Sequence, residues 1–339
     1  MQNASTSNKH HIRERFYSQY FLDIQDRTSY SSHMQEQRQC GDRIMAKHYP
    51  NFQRQKFMLI FIKLAGDRLS KIDLQKLIFL FQQKHRITFY DFIPYHYGCY
   101  SFQANEDMHI LQKQGWISIK DKNIELINKY PKLIDCYADV KQFLTTYNDV
   151  RGNELIKTVY TSYPYYAMNS KIAHSILTKD EFKKIQNMRQ TGIHESKTLF
   201  TIGYEGITIE AYINKLIQND IRLICDVRNN PISRKFGFSK TMLSSILQEI
   251  NIAYVHMPEL GIVSEKRKEL KGPADYETLF NEYKKNLRKK KVYVEKVSDL
   301  LCEQERIALT CFEKDPNLCH RHILSQFIKD NYAARVVDL

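Results

Sequence analysis

The 339-residue sequence has no apolar run long enough to cross a bilayer. Its longest apolar runs, Phe57 to Ile62 and Leu77 to Phe81, are far shorter than the roughly 20 residues that a transmembrane helix needs. The N-terminal stretch MQNASTSNKHHIRER also lacks the apolar segment of a secretory signal. We therefore predict a soluble, cytoplasmic protein with no membrane partner.

Cysteine is sparse and lacks the spacing of a zinc finger. The seven cysteines are an odd number, are scattered along the chain and include no CxxC pair. Thiols stay reduced in the cytosol, so we expect no disulfide framework. The nearest two, Cys311 and Cys319, do not have the spacing of a zinc-finger pair. The sequence therefore predicts neither a metal site nor a cofactor.

Basic residues outnumber acidic ones, and the sequence is otherwise that of a globular protein. Lys and Arg total 51 against 38 Asp and Glu, which gives a formal net charge of +13. The length suggests about two domains. Many of the basic residues cluster between Lys266 and Lys291. A solvated helix face would explain any one cluster, but the overall excess favours a phosphate-rich partner, which we expect to be nucleic acid and preferably DNA.

The N-terminal half has a polar extension followed by a compact helical unit. Residues 1–51 have almost no aliphatic periodicity, and we expect this extension to be partly disordered. Residues 52–178 are predicted to form a domain. We expect three helices: the first ends at Gly66, the second begins near Lys71, and the third spans Gln103 to Gln114. A hairpin of Trp116–Lys120 and Ile124–Ile127 is expected to follow. Three helices before a hairpin is the order of a winged-helix unit.

This helical unit also resembles the Panacea antitoxin-like domain over about a hundred residues. The resemblance rests on Leu74-Gln75-Lys76-Leu77 and on Gly98-Cys99-Tyr100-Ser101, where Cys99 stands in place of the family's proline. It implies an antitoxin-like or DNA-binding role. A helical packing module without any role in nucleic-acid binding is the alternative.

The C-terminal half alternates short apolar strands with helices. We take residues 179–197 as a linker and residues 198–339 as the second domain. The expected strands are Leu199–Gly203, Arg222–Val227, Ile252–His256, Arg306–Phe312 and Ala334–Val337. The expected helices are Thr208–Asn219, Ser239–Ile250, Tyr276–Cys302 and Pro316–Asp330. The predicted fold class is α/β, with a doubly wound, mostly parallel five-stranded C-terminal sheet and an N-terminal, mainly helical, winged-helix-like domain.

Chemically active residues follow the predicted strands, and in open parallel sheets ligands bind beyond the carboxyl ends of the strands. The candidate catalytic carboxylates are Glu205, Asp226 and Glu313. The candidate substrate- or phosphate-binding residues are Tyr204, Arg228, Ser233, Arg234, His320 and Arg321. The candidate base-stacking rings are Phe236 and Phe238.

Several of these residues also have a simpler structural interpretation. Glu205 could complement a helix dipole, and Asp226 and Arg228 could form a buried ion pair. Cys319 falls in the first turn of the predicted helix, where a thiol pKa is lowered. Its helical neighbour His320 cannot face it, however, so we expect Cys319 to be a buried structural thiol. Cys311, in an apolar strand, is expected to be core.

The C-terminal motifs resemble domain-of-unknown-function family 488 from about Thr198 to Asp330. The matching segments, in family order, are TIGYEG, DVRNNPISRKFGFS, PELG and CFEKDPNLCHR. The resemblance implies an α/β sandwich and places the candidate catalytic and substrate-binding residues, with Pro231 and Cys319, at family motif positions. It implies no particular reaction, because the activity of the family is unsettled.

Carboxylates, arginines and aromatic rings at one sheet edge would suit cleavage of an N-glycosidic bond in DNA. We therefore expect a DNA glycosylase, with phage defence as its setting by analogy with the Panacea-like domain. A metal-dependent nuclease is the alternative enzyme, and a thiol enzyme using Cys319 is a third. The alternative without catalysis is a DNA-binding regulator or antitoxin-like partner whose α/β domain binds a nucleotide.

Overall fold

The computed structural model describes residues 49–128, 136–191, 196–267, 270 and 272–339. The predicted extension of residues 1–51 lies almost entirely outside this part of the chain, as do Lys268 and Lys271 of the basic clusters. In the described ranges, every helix is too short or too polar to span a membrane. The cytoplasmic location stays a prediction.

The N-terminal half has the strand and helix order of a winged helix. In chain order its main elements are α1 (Gln53–Leu64), β1 (Arg68–Ser70), α2 (Lys71–His85), β2 (Ile93–Tyr95), β3 (Gly98–Tyr100), α3 (Phe102–Lys113), β4 (Ile117–Lys120), β5 (Asn123–Leu126), α4 (Tyr137–Thr146), α5 (Gly152–Ser162), α6 (Ala173–Ile176) and α7 (Lys179–Thr191). Strand β1 pairs antiparallel with β5, which pairs antiparallel with β4. The predicted helices and hairpin are present, the structure adds the short strands β1, β2 and β3, and the winged-helix-like assignment stays a prediction.

Side-chain caps and one continuous core hold these helices in place. Ser70 and Ser101 cap α2 and α3, and each hydroxyl accepts a hydrogen bond from a backbone N–H three residues on. The run from Phe57 to Ile62 is fully buried in α1 because neighbouring elements cover that helix on every side. The segment 179–197, expected to be a linker, instead begins with helix α7, whose Ile185 is buried in the same core.

The C-terminal half is a parallel sheet covered by helices on both faces. Its elements are β6 (Thr198–Gly203), α8 (Ile209–Gln218), β7 (Leu223–Asp226), α9 (Lys240–Glu249), β8 (Ala253–His256), α10 (Pro273–Lys289), α11 (Lys291–Gln304), β9 (Arg306–Cys311), α12 (His320–Tyr332) and β10 (Arg335–Asp338). The strand order is β10-β6-β9-β7-β8, and all four pairings are parallel. The five predicted strands and the α/β fold class are confirmed.

Two helix boundaries differ from the prediction. The helix expected over Tyr276–Cys302 is divided at Lys290 into α10 and α11. The N–H of Lys290 donates hydrogen bonds to two carbonyl groups of the preceding turn, and α10 ends there. The helix expected from Pro316 begins at His320 instead. The Asp315 carboxylate accepts a hydrogen bond from Asn317 N and fixes a short 3₁₀ turn, after which Cys319 is extended, with φ −131° and ψ 137°. Cys319 is therefore the N-cap and not part of the first helical turn.

A buried carboxyl group joins the two halves of the chain. Glu210, in the first turn of α8, accepts hydrogen bonds from Ser101 Oγ at 3.1 Å and from Gln103 N at 2.8 Å, at the N-terminus of α3. Its Oε2 atom is buried and has no hydrogen-bond partner within the described part of the chain. Burial raises the pKa of Glu210 to about 7. The carboxyl therefore gains a proton near neutral pH, since its charged form is poorly solvated.

We predict that Glu210 makes stability fall with rising pH. Its folded pKa exceeds the ordinary value of 4.5, so its favourable contribution is complete below that pH and is lost as the pH rises through about 7. The unfolding free energy of the native protein, relative to Glu210→Gln, should fall by up to about 3 kcal/mol between about pH 5 and about pH 8. Chemical denaturation at each pH measures this difference.

The matched control is Glu249→Gln. Glu249 is an exposed carboxylate at the same junction, where it accepts a hydrogen bond from Tyr95. Its substitution should leave the pH dependence almost unchanged. A difference between native and Glu210→Gln that stays flat across the same pH range would contradict the interpretation.

Candidate functional site

Strands β6, β7 and β9 are neighbours and bring their carboxyl ends together at one edge of the sheet. The chain after β6 crosses the chain after β9, and the N–H groups of Tyr204 and Glu205 both donate to Phe312 O, at 3.1 and 2.9 Å. Gly203 lies at the crossing, where a Cβ atom would stand 1.8 Å from Glu313 O. Only glycine fits there, so the close approach of the two loops is built into the sequence.

Asp226 and Arg228 form a buried ion pair at the end of β7. Arg228 donates to both carboxylate oxygens of Asp226, through Nε at 2.8 Å and Nη2 at 2.5 Å. Its Nη1 atom donates to Tyr204 Oη at 2.9 Å and to Phe238 O at 2.8 Å. Tyr254 Oη donates to Asp226 Oδ2 at 2.6 Å. Protein groups thus surround the ion pair. This agrees with the structural interpretation in which Asp226 and Arg228 form a buried ion pair.

The electrostatics of this pair are those of an internal scaffold. Although burial opposes its charge, the hydrogen bonds and the charge of Asp226 raise the pKa of Arg228. Burial, together with the Asp226 carboxylate, also raises the pKa of Tyr254. Arg228 and Tyr254 therefore keep their protons across the physiological pH range. The Asp226–Arg228 ion pair is thus a fixed structural element. Both oxygens of Asp226 accept hydrogen bonds in this arrangement, and its expected catalytic role stays a prediction.

The ring of Phe238 belongs to the core and does not present a stacking surface. It is fully buried and stacks on Tyr204, with ring centroids 4.3 Å apart and planes 9° apart. The base-stacking role expected of Phe238 stays a prediction, and in this structure the ring is enclosed by the core. Phe236, the second ring expected to stack on a base, is half-buried against the same core.

A second group of side chains meets at the end of β9, and we call it the thiol–imidazole centre. It consists of Arg267, Cys311, Glu313, Cys319 and His320. His320 Nδ1 lies 3.8 Å from the Sγ atoms of both cysteines, and Cys311 Sγ lies 3.2 Å from Glu313 Oε2. Arg267 donates to His320 Nδ1 at 2.6 Å and to Glu313 Oε1. The sequence prediction assigned Cys311 to the core, and it is buried, but its sulfur faces this centre.

The two thiols of the centre have opposite pKa shifts. A hydrogen bond from Cys319, together with the neighbouring His320 and Arg267, lowers the pKa of Cys311 well below the usual range of a thiol. Burial and the neighbouring Cys311 raise the pKa of Cys319. Burial, with the Cys311 charge, also raises the pKa of Glu313. The centre therefore favours one thiolate, on Cys311, held among cationic and hydrogen-bonding groups.

Arg321 holds the loop after β9 through internal hydrogen bonds. Its guanidinium is buried and donates to Glu313 O at 2.5 Å, to Lys314 O at 3.0 Å and to Thr201 Oγ1 at 3.2 Å. Arg321 and Arg228, both expected to bind phosphate, are engaged in internal contacts in this structure. His320, also expected to bind substrate, is buried and has its ring within the centre.

The remaining candidates lie closer to solvent. Glu205 is exposed, and its Oε2 atom accepts a hydrogen bond from Lys314 N at 3.0 Å. The Ser233 hydroxyl accepts a bond from Lys235 N at 3.2 Å, which closes a turn. Arg234 is exposed beside it. These residues can reach a ligand, although each contact that Glu205 and Ser233 make here stabilises a loop.

Sequence reasoning missed Arg267 of the centre and two neighbours of the groups, Tyr254 and Tyr283. Arg267 reaches the centre from a 3₁₀ turn at Ser264–Arg267, and only its place in a basic cluster marked it. Tyr254 is on β8, which pairs with β7, and without a predicted strand order the sequence did not place it beside Asp226. Tyr283 on α10 packs its ring 5.4 Å from His320, and helical periodicity alone assigns it to the core.

Residues 208–328 match the family model described as a domain of unknown function, DUF488. The family expected for the C-terminal region is confirmed. The matched residues of the DUF488 domain include Glu210, the Asp226–Arg228 pair and the whole thiol–imidazole centre, and they begin just after Glu205. No curated protein and no solved structure matches the chain. The Panacea-like resemblance of the N-terminal half stays a prediction.

We predict that Asp226→Asn lowers the unfolding free energy of the DUF488 domain. Any loss of activity in this variant would then come at least partly from lost stability. The substitution leaves the buried Arg228 guanidinium without a counter-charge, which costs about 3–5 kcal/mol of unfolding free energy. Tyr254→Phe removes a single hydrogen bond to the same carboxylate and should cost about 1.5–3 kcal/mol. Denaturant unfolding measures both. A stable Asp226→Asn protein, within about 0.5 kcal/mol of the native one, would contradict the scaffold role.

Proposed function

We propose that the DUF488 domain is a hydrolase that acts on nucleic acid, with Glu313 as the carboxylate beside the reacting bond. The observation that carries this proposal is the position of Glu313 in the thiol–imidazole centre. Its side chain is 21% exposed, whereas that of Asp226 is 0% exposed and fully engaged by Arg228. Glu313 can therefore reach a substrate while Arg267 holds it in place.

The helix that packs over the centre favours an anionic polymer as substrate. Helix α10 packs against α12, and Tyr283 on its inner face contacts the His320 ring. The outer face of the same helix exposes Lys284, Lys285 and Arg288. Exposed positive charge of this kind contributes most of the sequence-independent affinity of a protein for a phosphate backbone. We propose that these charges hold one part of the nucleic-acid strand while another part reaches Glu313.

The contacts of the N-terminal half favour packing against the DUF488 domain over recognition of DNA bases by α3. In helix-turn-helix proteins, residues at the start of the recognition helix contact base edges. Here the start of α3 is occupied by Glu210 of the DUF488 domain. The same helix carries Glu106 and Asp107, with a single lysine in its last turn. A regulator that read bases with the start of α3 would therefore require the two halves to separate.

Cleavage of an N-glycosidic bond is the reaction to test first. A carboxylate can stabilise the positive charge that develops on the sugar and can position the attacking water. Phe312 follows Cys311, is 45% exposed and lies beside Glu313, so it can stack on an extruded base in place of the buried Phe238. Strand cleavage is the second candidate, because the thiols and imidazole of the centre are also metal-binding groups.

We predict that Glu313→Gln abolishes product formation without loss of fold. Purified full-length protein would be incubated with unmodified and base-modified DNA, single- and double-stranded, and with RNA. Hot alkali and a denaturing gel would then reveal abasic sites. The glutamine variant should be at least about 100-fold slower because it cannot carry the negative charge or accept a proton. Glu303→Gln, at an exposed position of α11, is the matched control and should keep the native rate.

The outcomes separate the reaction classes. Breaks that require alkali support base excision, and breaks that appear without alkali support strand cleavage instead. Tight, salt-sensitive binding without product on any substrate would overturn the hydrolase and favour the regulator. Full activity in Glu313→Gln would show that Glu313 is not the carboxylate beside the reacting bond.

A further inference from the structure

We infer that the thiol–imidazole centre is a zinc site, with Cys311 Sγ, Cys319 Sγ and His320 Nδ1 as ligands. These three donor atoms lie within 4.8 Å of one another, and all three residues are buried. The inference goes beyond the proposed function, because metal binding at these donors does not depend on the identity of the substrate. A catalytic role for the metal does rest on the proposed function.

The distances between donors match those of a tetrahedral site. Zinc binds sulfur at about 2.3 Å and imidazole nitrogen at about 2.0–2.1 Å, so two such ligands of one ion stand about 3.6 Å apart. The two Sγ–Nδ1 distances here are both 3.8 Å. Small side-chain rotations would bring all three donors onto a single ion. The eight-residue interval between Cys311 and Cys319 hides this arrangement in the sequence, because the 3₁₀ turn at Pro316–Leu318 folds the two cysteines together.

The imidazole of His320 is already oriented as a metal ligand. Its Nε2 atom lies 3.1 Å from Val227 O, a carbonyl that can only accept a hydrogen bond. The proton is therefore on Nε2, and the Nδ1 lone pair faces the two sulfurs. A histidine ligand whose second nitrogen donates to a backbone carbonyl is a recurring arrangement in metal sites.

A cation already lies against these donors. The Arg267 guanidinium contacts His320 Nδ1 at 2.6 Å and pairs with Glu313. Arg267 comes from an exposed turn and its side chain is 28% exposed, so it can withdraw toward solvent while the buried donors stay in place. Zinc would take over the contact with Nδ1, and Arg267 would keep its partner Glu313.

The donor set favours zinc over hard cations. Two sulfurs and one imidazole nitrogen suit zinc, whereas Mg²⁺ and Ca²⁺ prefer oxygen ligands. Three protein ligands also leave a fourth position, as in catalytic zinc sites. Glu313 lies 3.2 Å from Cys311 Sγ and borders that position. It can either complete the coordination or accept a proton from a molecule bound beside it.

The first measurement is the zinc content of the untagged, full-length protein purified without chelators. Mass spectrometry of the metal should find one equivalent of zinc per chain. Protein stripped with a strong chelator and reloaded with Co²⁺ should show the visible absorption of a tetrahedral thiolate site. Neither readout requires substrate, so absence of a nucleic-acid product together with bound zinc would refute only the proposed function.

Variants then locate the metal. Cys311→Ser and Cys319→Ser should each weaken zinc binding by more than the roughly 10–100-fold that loss of a second-shell partner costs. Cys225→Ser, at a buried thiol on β7, and Cys302→Ser, at an exposed thiol on α11, should keep the native zinc content. Arg267→Ala should also keep its zinc. If a serine variant does not fold, Cys311→His offers a ligand of another type and should restore binding.

Two results would overturn the inference. One is native protein that lacks zinc, fails to take up added zinc or cobalt, and has both thiols open to alkylation. The other is zinc that persists in the Cys311→Ser/Cys319→Ser double variant, because the metal would then lie elsewhere in the chain.

Discussion

The buried guanidinium of Arg321 is the contact on which the candidate site depends. It holds the carbonyl groups of Glu313 and Lys314 and so fixes the loop that leaves β9. That loop also passes against Gly203, where no side chain would fit. Cys311, at the end of β9, and Glu313 therefore have defined positions before any ligand binds. Rigid support of this kind is what a binding or catalytic group requires.

The two polar groups at the sheet edge have different tasks but share one segment of backbone. Asp226 and Arg228 are locked together, and the residue between them, Val227, accepts the hydrogen bond from His320 Nε2. The ion pair therefore sets the position of that carbonyl, and the carbonyl sets the orientation of the imidazole. Loss of Asp226 would disturb the thiol–imidazole centre indirectly. Loss of function in such a variant is thus no proof of a catalytic aspartate.

The fold of the C-terminal half was largely predictable, because buried parallel strands are short apolar runs that alternate with helices. The same alternation placed Asp226, Cys311 and Glu313 at one edge of the sheet. It could not tell which charged group is enclosed. Asp226 ends an apolar strand and Arg228 follows it, just as in a solvated catalytic pair, and only the packing of Tyr204 and Tyr254 around them shows that the pair is enclosed.

The composition of the centre was not predictable for a different reason. Arg267 and Glu313 are far apart in sequence and meet through a loop without periodicity. The backbone at Cys319 is extended because the turn before it ends early, whereas a continuous helix from Pro316 would have turned the thiol elsewhere. The docking of Glu210 onto α3 likewise joins two segments that local patterns treat independently.

The most direct test of the central claim is to map where nucleic acid lies on the protein. Full-length protein would be photo-crosslinked to an oligonucleotide that carries a reactive base, and the attached peptides identified by mass spectrometry. A strand bound across the DUF488 domain should attach to α10 and to the Phe312–Lys314 loop. Attachment confined to α3 or to the β4–β5 hairpin, with none on α10, would show that the winged-helix-like half binds the nucleic acid and would contradict the account.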